Sequence, residues 1–86
     1  MSADIDTLKR TILDAVRHGP LADALVDADV EFAHDEDGDD FLRVQLSMHL
    51  PDDVPDDQLV DLIERIEESV AAVDDRYPSV RFLDAA

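Results

Sequence analysis

Residues 25–50, LVDADVEFAHDEDGDDFLRVQLSMHL, hold two alternating segments on either side of one glycine. In the first, Val26, Ala28, Val30 and Phe32 fall on one side, and Asp27, Asp29 and Glu31 on the other. In the second, Leu42, Val44, Leu46, Met48 and Leu50 share a side. A period of two residues is the mark of a half-buried strand. The loop length follows from register, because residues opposite one another share a sheet face. A two-residue turn at Asp37-Gly38 sets Phe32 against Arg43 and mixes apolar with polar on both faces. A three-residue loop, Glu36-Asp37-Gly38, sets Phe32 against Leu42, Val30 against Val44, Ala28 against Leu46 and Val26 against Met48. It also places Glu31 beside Arg43 on the wet face. A slip of one residue flips the whole apolar set, so the three-residue register is expected, with Gly38 at the left-handed position that closes such loops.

The same loop invites a calcium reading. An EF-hand with Gly38 at its sixth position needs an acid at the first and a bidentate Glu at the twelfth, yet these are Ala33 and Val44, and strands flank the loop. A solvated hairpin tip is the expectation, with Asp35, Asp37 and Asp39 as weak metal candidates. His34 and His49 are the other metal candidates. The register puts them on opposite faces at opposite ends of the hairpin, so they cannot share an ion within one chain.

On the N-terminal side, Ile5, Leu8, Ile12, Ala15 and Val16 recur at helical spacing and predict a helix over 4–18. Asp4 or Ser2 can cap it. Gly19, expected in the left-handed conformation, and Pro20 stop it. On the C-terminal side, Pro55 suits a first helical position. Leu59, Leu62, Ile63, Ile66, Val70, Val73 and Tyr77 predict a long second helix ended by Pro78, with Asp61 and Arg65 paired at four residues' spacing. SVRFL, residues 79–83, predicts a short last strand. One apolar sheet face and two apolar helix stripes predict a single α+β domain over 1–86. It is a two-layer α-β-β-α-β sandwich in which a three-stranded mixed sheet carries both helices on one face. The second and third strands, joined through a helix, run parallel.

The chain has no cysteine, which excludes disulfides, thiolate metal sites and a cysteine nucleophile. Two glycines provide no phosphate-cradling loop, and no serine, threonine or tyrosine stands in a nucleophile's setting. No catalytic residue and no cofactor is expected. No apolar run approaches the roughly 18 residues of a membrane span. The opening MSADIDTLKR lacks the basic-then-apolar layout of a signal peptide, so no membrane partner and a cytoplasmic location are expected. Twenty-three acids stand against seven bases, for a formal charge of −16. Such a surface repels phosphate and speaks against nucleic-acid binding. It fits a salt-rich cytoplasm, whose proteins it resembles in composition, or an acidic mimic that fills a partner's basic groove.

The outer sheet face carries Asp27, Asp29, Glu31, Arg43, Gln45, Ser47 and His49, together with Phe41 opposite Ala33. Phe41, Arg43 and His49 are the expected interaction residues, for a protein partner or a second copy in a homodimer.

FLRVQLSMHLPDDVPDDQL leading into a long helix, followed by DDRYPSVRF, resembles the cytoplasmic C-terminal domain of cation-diffusion-facilitator transporters. The resemblance implies the same α+β fold, dimerisation and a metal-responsive role. The final strand ends Phe82-Leu83-Asp84, without a histidine, and His34 and His49 do not clearly reproduce that family's metal ligands. The element order is also similar to the NifU-like cluster scaffold, whose paired cysteines are absent here. The expected function is that of a small, acidic, non-enzymatic interaction module that self-associates. A metal-responsive regulatory domain is the alternative, followed by the nucleic-acid mimic.

Overall fold

The computed structural model describes residues 4–85. In chain order these form α1 (Ile5–Arg17), a short 3-10 turn (Ala22–Ala24), β1 (Leu25–His34), β2 (Asp40–Met48), α2 (Asp56–Ala71) and β3 (Tyr77–Asp84). The fold is α+β. The sheet order is β1-β2-β3, antiparallel between the first pair and parallel between the second. Both helices pack on one face of it.

Each boundary has a local cause. Asp4 caps α1 by accepting the Thr7 N–H at 2.8 Å. That backbone bond, helped by the Thr7 side chain, holds the Asp4 carboxyl below its ordinary range. Ser2, the other candidate cap, lies outside the described residues. α1 ends at His18, whose Nδ1–H donates to the Asp14 carbonyl at 2.6 Å. Gly19 departs from expectation, because Gly38 is the one glycine with positive φ, at 85°. Pro55 is the N-cap of α2 and not its first helical residue as expected, which is Asp56. Asp61 and Arg65 pair as expected, at 2.7 Å.

The hairpin follows the expected register along most of its length. Phe32 pairs with Leu42, Val30 with Val44, Ala28 with Leu46, and Glu31 with Arg43. At its tip the Asp35 N–H donates to Asp39 O at 3.0 Å, and Gly38 N–H to Asp35 O at 3.1 Å, which leaves the three-residue loop Glu36-Asp37-Gly38. The open end differs. A bulge between Leu25 and Asp27 brings Leu25, not Val26, opposite Met48. The extra residue turns Val26 outward, 64% exposed.

The second half of the fold needs two corrections. Tyr77 does not continue the α2 stripe, and Pro78 does not end that helix. α2 stops at Ala71, and both residues lie in β3, paired with Phe41 and Leu42. Asp74 makes the turn. Its Oδ1 accepts the Arg76 N–H at 2.9 Å, and it is the one buried charged residue among those described, 3% exposed. The last strand is therefore longer than SVRFL. Its proline sits on an edge strand, where a missing N–H is tolerated.

The core lies between the layers. Leu8, Ile12 and Val16 of α1 and Leu62, Ile66 and Val70 of α2 meet Leu42, Val44, Leu46 and Met48 of the central strand, all essentially fully buried.

Candidate functional site: the open face of the sheet

With both helices on one side, alternate residues of every strand face away from the core. The pairing sorts them into rows: Ala33, Phe41 and Tyr77; Glu31, Arg43 and Ser79; Asp29, Gln45 and Arg81; Asp27, Ser47 and Leu83. Neighbouring strands half-shield Phe41, Gln45 and Ser47 of the central strand, while Arg43, Tyr77, Arg81 and Leu83 stand exposed.

Charge divides this face in two. The β1 part is acidic, with Asp27, Asp29 and Glu31. The β2–β3 part, Phe41, Arg43, Gln45, Ser47, Tyr77, Ser79, Arg81 and Leu83, has two arginines, two aromatic rings and no acid. Acids are otherwise spread along the chain, but none occurs in residues 41–51 or 76–83, the segments that hold the two strands. At the average density of 23 acids in 86 residues, the eight outward positions of these strands would carry about two. Depletion of charge with enrichment in aromatics and arginine is the composition of an interface centre.

Polar contacts fix the geometry. Arg43 Nη1 donates to Glu31 Oε1 at 2.7 Å, and its guanidinium lies 5.9 Å from the Phe41 ring centre. At the sheet's end the neighbouring Glu67 carboxylate, through hydrogen bonding first and its negative charge next, raises the Tyr77 pKa above its ordinary value. Sequence reasoning found Phe41 and Arg43 but missed Tyr77, Arg81 and Leu83. Their signal was the acid-free alternation of residues 77–83, hidden by assigning Tyr77 to the helix. His49 follows the end of β2, is exposed, and donates its backbone N–H to Ala24 O at 2.7 Å.

The metal candidates are placed as follows. His34 pairs across the hairpin with Asp40, Nδ1 to Oδ1 at 2.5 Å, and both are exposed. His49 lies nine residues further along the strand direction, about 30 Å away at 3.3 Å per residue. No single ion can join the two histidines within one chain. Asp35, Asp37 and Asp39 have carboxylate oxygens within 4.8 Å of one another, all exposed. Asp35 Oδ1, however, accepts the N–H groups of Asp37 and Asp39, both at 2.9 Å, so this carboxylate builds the turn. Calcium takes six to eight oxygens, and three carboxylates, one of them already accepting two N–H groups, fall short of that number.

Two other features lie on the helix side. A shallow groove of about 420 Å³ between the helices is lined by Thr11, Asp14, His18, Arg65, Glu68 and Ser69. Its two basic groups are engaged, His18 by the Asp14 carbonyl and Arg65 by Asp61. At the hairpin end, the Arg76 guanidinium lies 4.2 Å above the Phe32 ring. Its buried Nη1 sits 3.5 Å from Asp74 Oδ2, an ion contact too long for a hydrogen bond.

Comparison with protein-family models, curated proteins and solved structures returns no match for this chain. Among the described residues no helix is long and apolar enough to cross a membrane.

Proposed function

We propose that this protein is a non-enzymatic, self-associating interaction module of a salt-rich cytoplasm. The observation that carries the reading is the acid-free outer surface of β2 and β3 in a chain of charge −16. A nucleic-acid mimic would spread acids across its docking face. Here the open face carries acids only on its β1 strip, and two arginines stand on the rest. A metal-responsive role rests on the Asp35, Asp37 and Asp39 cluster alone, where the turn already engages one carboxylate.

Salt is the deciding variable. Two chains of charge −16 repel at a distance, over a Debye length of about 10 Å at 0.1 M salt and about 3 Å at 1 M. Apolar contact, in contrast, does not weaken with added KCl. Sedimentation equilibrium from 0.05 to 2 M KCl should show monomer in dilute buffer and an association constant that climbs at least tenfold towards molar salt. A monomer at every salt concentration, up to millimolar protein, overturns the reading.

A further inference from the structure

We infer that the occupant of the open face is a second copy of the same chain, laid face to face about a two-fold axis that runs along β2. This rests on the self-association proposed above and adds which surface, which axis and which residues. Charge complementarity selects the occupant. A basic partner would find no acid on the β2–β3 part, and a polyanion is repelled by the whole molecule. The face itself holds both signs in separate strips, acids on β1 and arginines on β2 and β3.

The strips fix the axis. A two-fold across the strands lays β1 on its own counterpart, with Asp27, Asp29 and Glu31 set against the same three acids. A two-fold along β2 lays β1 of one copy over β3 of the other. Asp29, Gln45 and Arg81 share one row, so Asp29 then faces the partner's Arg81, and the contact occurs twice. Arg43 meets its counterpart near the axis, already neutralised by Glu31 at 2.7 Å. Phe41 meets its counterpart at one end of the seam, where Tyr77 faces the partner's Ala33.

Edge-to-edge addition is the competing geometry, and both edges oppose it. β1 carries the bulge at Leu25/Asp27 and three outward acids, which discourage strand pairing. β3 contains Pro78, which lacks the N–H a new strand would need. Size sets the strength. Three strands about 4.8 Å apart and nine residues of about 3.3 Å give a flat footprint of roughly 400 Å² per copy. A standard interface uses about 800 Å² per partner. Such a seam is modest, and therefore sensitive to the long-range repulsion that salt removes.

The test is a charge exchange read by sedimentation equilibrium at 0.5 M KCl, where distant repulsion is damped but contacting pairs still act. Arg81→Asp alone should weaken self-association at least tenfold, because the introduced acid meets Asp29 twice. Asp29→Arg alone should do the same, because the introduced arginine meets Arg81. An equimolar mixture of the two variants should form heterodimers within a few-fold of the parent's affinity, since both contacts are restored. Val60→Asp, on an exposed part of α2, should leave association unchanged. Circular dichroism confirms that each variant is folded. A parent that dimerises while both single variants dimerise equally well overturns the face and the axis but leaves self-association standing. Two weakened variants that fail to rescue each other overturn the axis. A monomeric parent overturns the self-association reading itself.

Discussion

The two faces of this sheet are built from alternate residues of the same three strands, yet they carry opposite kinds of information. The covered face is uniform: Leu42, Val44, Leu46 and Met48 of β2 are wholly buried beneath two helices, and their neighbours on β1 and β3 are apolar. Burial of this kind supplies folding energy and says little about role. The open face contributes little burial but is sorted by charge, with acids on one strand and arginines and aromatic rings on the other two. In a chain with 23 acids, leaving eight outward positions free of them is no contribution to solubility. The covered face accounts for the fold, and the open face points to what the fold is for.

The largest expected effect compares adjacent residues on opposite faces. Leu46→Ala should cost about 2–5 kcal/mol, from lost transfer energy and the cavity left behind. Gln45→Ala should stay within about 0.5 kcal/mol in dilute, low-salt monomer. Urea denaturation measures both. Equal losses would mean that Gln45 is buried within the monomer and that the open face is not open.

A smaller effect should appear where the covered face runs out. Phe32 belongs to the core side of β1 yet is 49% exposed, and the Arg76 guanidinium lies over its ring. Asp74 holds the Arg76 backbone N–H at 2.9 Å from a buried position. Asp74→Ala should cost about 1–3 kcal/mol, because it removes the acceptor of the part-buried Arg76 N–H. A midpoint equal to the parent's would show that the α2–β3 turn is set by packing alone.

The smallest effect belongs to the open face. Glu31 and Arg43 pair across strands at about half exposure. A double-mutant cycle to alanine should give a coupling of about 0.2–1 kcal/mol that shrinks as KCl is added. A larger coupling that ignores salt would place the pair in a desolvated setting, already covered in the protein as it stands in solution.

The hairpin was legible because its information is local. Strict alternation, one glycine and one cross-strand ion pair leave a single register consistent with burial, and the structure has it from Asp27 to His34. The bulge at Leu25/Asp27 was not legible, since Val26 looks like any other apolar strand residue until its partner is known. The end of α2 was misread for a related reason. Val73 and Tyr77 continue a helical spacing, and only the Asp74 side chain, turning back to the Arg76 N–H, breaks it. At the candidate site, Phe41 and Arg43 could be placed through the hairpin register. Arg81 and Leu83 could not, because their row is set by a strand arriving from the far end of the chain.

By itself the sequence determined the order of the elements, the loop of the hairpin, the apolar face and the charge, because each depends on residues close together or on composition. The parallel run of the second and third strands was also expected from the helix that joins them, but the tertiary structure alone decided which residues of 41–48 and 77–84 meet side by side. That pairing spans a helix and two turns, and no local periodicity encodes which rows meet across it. The packing of both helices on one side then turned two separate acid-free segments into one continuous, uncovered surface.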